Sequence, residues 1–83
     1  HRSRALDAPD VPQKLVDALR AFRREQAQAR AIPAFRVFTD RALYTLAHER
    51  PRTEAELLTI SGVSRSLARK YGAQLLAIVR ADA

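Results

Sequence analysis

The sequence contains no cysteine, no methionine and no tryptophan, and only two of its 83 residues are glycine. Because cysteine is absent, the chain can form neither a disulfide nor a thiolate metal site, which excludes a disulfide-stabilised scaffold. No apolar run approaches the roughly 18 residues that a membrane span requires, and residues 1–10 lack the apolar stretch of a signal peptide. These absences predict a soluble, cytoplasmic domain that does not contact a membrane.

The common signatures of catalysis and metal binding are also missing. There is no cysteine nucleophile, no G-x-x-x-x-G-K-[ST] phosphate loop and no pair of carboxylates with a histidine in helical register. The two histidines, His1 and His48, lie far apart and have no carboxylates at ligand spacing. We therefore predict no catalytic residue, no metal site and no cofactor in a chain long enough for one small core.

Positive charge is the most prominent feature that the sequence does contain. Fifteen lysine and arginine residues against nine aspartate and glutamate residues give a net charge of +6, and only Lys14 and Lys70 are lysines. Arginine suits planar contacts with phosphate, so this excess favours a polyanionic partner. A basic surface can equally keep a domain soluble, and charge alone leaves both interpretations open.

Apolar residues at intervals of three and four predict an all-α fold. Residues 1–10 have cancelling charges and no such period, which indicates a linker or tail, so the folded domain spans residues 11–83. Within it we predict a compact bundle of four main helices, with one further helical turn or irregular segment near Pro33. No alternation of period two indicates a strand.

Capping residues predict where the four helices begin and end. The predicted N-terminal caps are Asp10, Thr39, Thr53 and Ser64, the first and third with capping-box partners at Gln13 and Glu56. The helices end near Arg30, Arg50, Gly62 and Arg80. The apolar stripe of the first helix comprises Leu15, Ala18, Leu19, Phe22, Gln26 and Ala29. In the connector after it, Ile32, Val37 and Phe38 are expected to close over the core.

Three parts of the chain, taken in order, carry a family resemblance. They are LVDALRAFRREQA, then IPAFRVFTDRALYTLAHERPRTEAELLTISGVSRSLARKYG, then a final amphipathic helix, and together they cover about residues 12–82. This order resembles the HRDC domain, found at the C-terminus of RecQ-type DNA helicases and of ribonuclease D. The linker follows the family's usual PPYVVFSD, with Ala34 for the second proline, Phe35 for tyrosine and Arg36 for an aliphatic residue. The turn reads ISGVS where the family usually has IPGVG.

The resemblance implies a small accessory domain without activity of its own, attached to an ATP-dependent DNA helicase of the RecQ type. ATP binding and hydrolysis would lie in other domains. Such a domain binds single-stranded or structured DNA and helps the motor to select its substrate. Its implied partners are this DNA and the rest of its own helicase chain, and we expect a monomer. Two alternatives stay open: a protein-docking or regulatory module, and the C-terminal module of a ribonuclease D-like RNA exonuclease.

Phe35 and Arg36 are the first candidate contacts with nucleic acid. An exposed ring can stack on a base for about 1–3 kcal/mol, while the neighbouring guanidinium holds a phosphate. In the family, the aromatic residue at this position is associated with single-strand binding, and the resemblance extends that role to Phe35. The alternative is that Phe35 packs into the core, as expected for Phe38.

Basic side chains supply two further groups of candidates. One group ends the first helix, beside the linker that carries Phe35, and the other opens the fourth helix, where Ser64 and Ser66 add hydroxyl donors. The two groups are Arg23, Arg24 and Arg30, and Arg65, Arg69 and Lys70. Either group could track a nucleic-acid backbone or form an ordinary solvated face. Cations near a helix N-terminus also oppose the helix dipole.

Overall fold

The fold is all-helical, as the sequence predicts. A computed structural model describes residues 12–82, and within that range it contains five helices and no strand. The helices are α1 (Gln13–Arg30), α2 (Ala34–Val37), α3 (Asp40–Glu49), α4 (Glu54–Leu57) and α5 (Arg65–Ala81). Three of them are long, and α2 and α4 are single turns.

The core is one continuous cluster to which every helix contributes. Helix α1 packs against α2, α3 and α5, and α4 packs against α5. The fully buried leucines are Leu15, Leu19, Leu43, Leu46, Leu57 and Leu75. Burial of each such side chain contributes about 1.5–3 kcal/mol. Val37 and Phe38 are each only 2% exposed and Ile32 packs against the cluster, so the connector after α1 closes over the core as predicted.

Helix α1 differs from its prediction at its start and on its buried face. It begins at Gln13 with Pro12 in the cap position and no side-chain cap, and the predicted cap Asp10 lies outside the described residues. Val16 and Ala27 belong to the buried face, whereas the predicted Ala18 and Ala29 are exposed. Alanine has a small side chain that gives only a weak periodic signal, so the apolar pattern could not show which alanines of α1 are buried.

The other three predicted N-terminal caps are confirmed. The backbone N–H groups of Ala42, Glu56 and Leu67 donate to the hydroxyl oxygens of Thr39, Thr53 and Ser64, at 3.2, 3.1 and 3.1 Å respectively. The Glu56 carboxylate accepts from the backbone N–H of Arg52 at 2.8 Å, one residue before the cap that a capping box normally satisfies. These local bonds fix the starts of α3, α4 and α5.

The third predicted helix is only the single turn α4, because the chain turns immediately after Leu57. The N–H of Ile60 donates to the Leu57 carbonyl, and the N–H of Val63 donates to the Ile60 carbonyl, both at 3.1 Å. Gly62 then adopts a φ of +93°, and a Cβ at this position would lie 3.0 Å from the Cβ of Ala42. Both the positive φ and the close approach of Ala42 therefore favour glycine here, and the turn itself packs against α3.

Ala31 ends α1 in a conformation that normally favours glycine. Its φ is +56°, and the N–H of Ile32 donates to the Ala27 carbonyl at 3.0 Å, which is the six-to-one bond of a Schellman motif. A left-handed alanine carries a steric cost of about 1–2 kcal/mol, because its Cβ approaches the following carbonyl.

We expect Ala31→Gly to stabilise the domain by about 0.5–1 kcal/mol, since relief of this steric cost exceeds the entropy that glycine adds to the unfolded chain. Urea unfolding measures the change. Ala21→Gly is the matched control, because Ala21 is exposed in the middle of α1, where glycine should cost about 1 kcal/mol. Equal destabilisation by both substitutions would contradict the assigned cap.

Candidate nucleic-acid interface

Two open grooves, each of about 440 Å³, flank α2 and share the side chain of Ile32. The α5 groove is lined by Arg30, Ile32, Arg36, Val37, Ser64, Ser66, Leu67, Lys70 and Tyr71. The α1 groove is lined by Arg20, Arg23, Arg24, Ala27, Gln28, Ala31, Ile32 and Ala34. Helix α2 contributes Ala34 to one groove and Arg36 and Val37 to the other, so it forms the ridge between them.

The α5 groove brings together cations from three different helices. Arg30 comes from the end of α1, Arg36 from α2 and Lys70 from α5, and no acidic residue lines the groove. All three side chains are exposed and, within residues 12–82, none forms an ion pair. The groove therefore carries three uncompensated positive charges, which favour an anionic ligand.

Tyr71 forms part of the groove and orients Arg30. The Arg30 guanidinium carbon lies 5.4 Å from the centroid of the Tyr71 ring, in cation–π geometry. The ring is itself held edge-to-face by Phe22, at 5.8 Å between centroids and an interplanar angle of 85°. Helical periodicity alone predicts only that Tyr71 belongs to the apolar face of α5, because Arg30 and Phe22, which contact its ring, lie on α1, far away in the chain.

The N-terminus of α5 opens into the same groove. The Ser64 hydroxyl oxygen accepts from the N–H of Leu67, which leaves its own O–H free to donate. Ser66 adds a second exposed hydroxyl. The first N–H groups of any helix lack intrahelical acceptors and carry partial positive charge, so they add to the attraction of Lys70 for an anion.

Phe35 lies on the α2 ridge with 64% of its surface exposed. Of the two possibilities that the sequence leaves open, burial beside Phe38 is wrong, since Phe38 is in the core and Phe35 is not. In chain order Phe35 lies between Ala34, which faces the α1 groove, and Arg36, which faces the α5 groove. Phe35 lines neither groove itself. An exposed ring that directly precedes Arg36 in the chain can nevertheless stack on a base while the nucleic-acid backbone follows the groove.

The α1 groove is less available to an anion, because two of its three arginines already have partners. The Arg20 guanidinium donates to the Tyr44 hydroxyl at 2.7 Å and lies 3.7 Å from the Asp17 carboxylate. Arg24 is exposed and has no carboxylate partner within residues 12–82. Of the two predicted nucleic-acid contacts that line this groove, Arg23 and Arg24, only Arg24 can therefore bind an anion without giving up a contact within residues 12–82.

Arg23 is built into the fold. Its guanidinium donates to the Phe38 carbonyl at 3.1 Å, pairs with the Asp40 carboxylate at 2.9 Å and lies 5.8 Å from the centroid of the Phe38 ring. Only 11% of its side chain is exposed. Because these contacts use the guanidinium to hold the start of α3 against α1, we leave Arg23 out of the proposed interface.

Arg65 and Arg69 are exposed but lie outside the α5 groove. They are one helical turn apart on the flank of α5 away from Leu67 and Lys70. The structure thus brings together Arg30, Arg36 and Lys70 but separates this pair from them, and a role for Arg65 and Arg69 stays a prediction.

The described residues contain neither a candidate metal site nor a candidate membrane-spanning helix. No group of three or more His, Cys, Asp or Glu side chains in residues 12–82 could hold a metal ion, and His1 lies outside that range. In the same range, no helix has the length and apolar character needed to cross a lipid bilayer.

Comparisons with known proteins agree on one family, and the relatives named below are DNA helicases. A sequence model of the HRDC domain matches residues 13–79. The chain is 34% identical over 73 residues to the ATP-dependent DNA helicase UvrD2 of Mycobacterium tuberculosis, which covers 88% of this chain and 10% of that protein. It is also 34% identical over 84 residues to the ATP-dependent DNA helicase RecQ of Bacillus subtilis, covering 99% of this chain and 14% of that protein.

A solved structure shares the fold. The third HRDC domain of D. radiodurans RecQ matches with a TM-score of 0.78 and 37% sequence identity, over 81% of this chain and 88% of that one. The chain therefore corresponds to a small part of each helicase relative and to nearly all of an isolated HRDC domain.

Proposed function

Because the chain belongs to the HRDC domain family, we propose that it is a DNA-binding accessory domain of an ATP-dependent DNA helicase. The observation that carries the proposal is the α5 groove, which brings together three cations from different helices without ion-pair partners in residues 12–82. One of them, Arg36, directly follows the exposed Phe35 in the chain. The named relatives are DNA helicases of the RecQ and UvrD2 types, at equal identity, so either type of motor suits this domain.

Single-stranded or locally opened DNA suits this geometry better than a closed duplex. Stacking on Phe35 requires a base whose face is accessible, which paired and stacked bases do not offer. In the proposed complex one base stacks on Phe35, and the following phosphates lie along Arg36, Arg30 and Lys70. The hydroxyls of Ser64 and Ser66 donate to phosphate oxygens at the end of the groove. Contacts of this kind read the backbone and tolerate any sequence.

Within the parent enzyme, such a site would hold the strand that the motor has opened, or a junction between single and double strands. The domain would then tune which DNA structures the motor engages, without contributing to ATP hydrolysis. The DNA helicase relatives favour DNA over RNA as the ligand, and thus favour this role over that of a ribonuclease D module.

The salt dependence of binding tests the proposal. Fluorescence anisotropy of labelled oligothymidylate should give a slope of about −2 for log Kobs against log salt, since three cations displace counterions from a single strand. Raising the salt from about 50 to 200 mM should therefore weaken binding roughly 15- to 20-fold. Absence of binding at the lower salt concentration, or binding that does not weaken with salt, would contradict the proposal.

Single substitutions distinguish the groove from a diffuse basic surface. Lys70→Gln should reduce the magnitude of the slope by about 0.7, because one phosphate contact is lost. Lys14→Gln is the matched control, since Lys14 is an exposed lysine on α1 that lines neither groove. Equal effects of the two substitutions would indicate non-specific attraction by the whole surface.

A further inference from the structure

A second basic pocket lies on another part of the molecule, where the connector after α3 meets the C-terminal half of α5. We call it the Pro51 pocket; it encloses about 100 Å³ and is lined by Arg50, Pro51, Arg52, Leu76, Val79 and Arg80. Its floor is apolar, because Pro51 and Val79 are buried and Leu76 packs against the core. Three arginines surround that floor. The pocket shares no residue with either groove beside α2.

The three arginines of the Pro51 pocket differ in whether their guanidinium groups already have a carboxylate partner. Arg50 donates to the Asp82 carboxylate at 2.8 Å, and both side chains are partly buried, so this pair joins the ends of α3 and α5. Arg52 and Arg80 are exposed, and neither guanidinium has a carboxylate partner within residues 12–82. Glu56 bonds to the backbone of Arg52 and does not pair with its side chain. Among the described residues, the pocket therefore offers two guanidinium groups that have no ion-pair partner.

The Pro51 pocket is separate from the α5 groove in position and in form. Lys70 and Arg80 both lie on α5, and ten residues of helix separate them by about 15 Å along its axis. One strand could cross both, but the two sites differ in form. The α5 groove is open and has a volume of about 440 Å³, while the Pro51 pocket has about 100 Å³ and an apolar floor.

Size and charge indicate the chemical class of the ligand. A cavity of about 150 Å³ accommodates benzene, so one of about 100 Å³ suits a branched aliphatic side chain better than an aromatic ring or a nucleobase. Guanidinium groups bind carboxylates bidentately, and two lie free at the rim. We propose that the Pro51 pocket binds a peptide of a partner protein in which acidic residues flank a leucine, isoleucine or valine.

This interaction is independent of DNA binding at the α5 groove. The aliphatic side chain enters the pocket over Leu76 and Val79, and the flanking carboxylates pair with Arg52 and Arg80. The domain can then hold DNA on one side and an acidic segment of another protein on the other.

Fluorescence anisotropy with a labelled peptide, Gly-Ser-Asp-Glu-Leu-Asp-Gly-Ser, tests the proposal in buffer of about 50 mM salt, where exposed charges are weakly screened. Arg52→Gln and Arg80→Gln should each weaken binding about two- to fivefold, as expected for exposed ion pairs. Both residues are exposed, so neither substitution should unfold the domain. Arg36→Gln is the matched control and should leave peptide binding unchanged.

The peptide itself supplies the remaining controls. Replacement of its leucine by serine, or of its acidic residues by their amides, should abolish measurable binding, and oligothymidylate should not displace it. The proposal is overturned if the peptide fails to bind or if its leucine makes no difference. It is also overturned if Arg36→Gln weakens binding as much as Arg80→Gln does. Displacement by oligothymidylate would instead make the pocket a nucleic-acid contact.

Discussion

Phe35→Ala is expected to weaken binding of single-stranded DNA by about 5- to 150-fold, which corresponds to the 1–3 kcal/mol that one base stacked on an aromatic ring contributes. The loss should be large because Phe35 is the only aromatic side chain in residues 12–82 that exposes most of its surface. Its removal should leave the free energy of unfolding within about 0.5 kcal/mol of the original value, since the ring lies outside the core.

Anisotropy with labelled oligothymidylate measures the affinity, and urea unfolding of the same variant measures stability. Leu58→Ala is the matched control, because Leu58 is the other large apolar residue exposed in the described part of the chain, at 41%. It is not among the residues that line the grooves. The assignment fails if Phe35→Ala binds DNA as tightly as the unmodified domain, or if Leu58→Ala loses as much affinity.

Arg23→Ala is expected to lower the free energy of unfolding by about 1–3 kcal/mol, the usual loss when hydrogen bonds to a charged group are removed. The substitution leaves the Phe38 carbonyl and the Asp40 carboxylate without their arginine partner and removes the cation over the Phe38 ring. These contacts join α1 to the start of α3, so the loss should appear as a lower urea midpoint with little change in slope.

Arg24→Ala provides the comparison for Arg23. Arg24 is the next residue on the same helix but is exposed, so its replacement should change stability by no more than about 0.5 kcal/mol. Equal stability of the two variants would show that the contacts of Arg23 contribute little to the fold. It would return Arg23 to the candidate contacts with DNA.

Most of the fold could be predicted from the sequence because its determinants are local. Thr39, Thr53 and Ser64 cap helices within three residues of themselves, and Gly62 fixes a turn with its own φ. The length of α4 could not be predicted in this way. Its apolar residues continue past Leu57, while turn bonds to the carbonyls of Leu57 and Ile60 end the helix there.

The candidate site was less accessible to sequence analysis, because its geometry depends on contacts between distant segments. The sequence predicts basic and aromatic contacts, but three of the cations converge only because the end of α1 lies beside the start of α5. Contacts with distant residues also explain why Arg23 and Arg24 differ. Their neighbouring positions in the sequence do not reveal that the Arg23 guanidinium contacts Asp40 and the Phe38 carbonyl while the Arg24 side chain is exposed to solvent.

The central claim is that DNA occupies the α5 groove beside Phe35, and mapping of backbone amide NMR shifts during a titration with oligothymidylate tests it most directly. We expect the largest shifts at Phe35, Arg36, Ser66 and Lys70, with little change at Arg52 and Arg80 in the Pro51 pocket. Shifts concentrated around Arg52 and Arg80, or spread evenly over all basic residues, would contradict the claim.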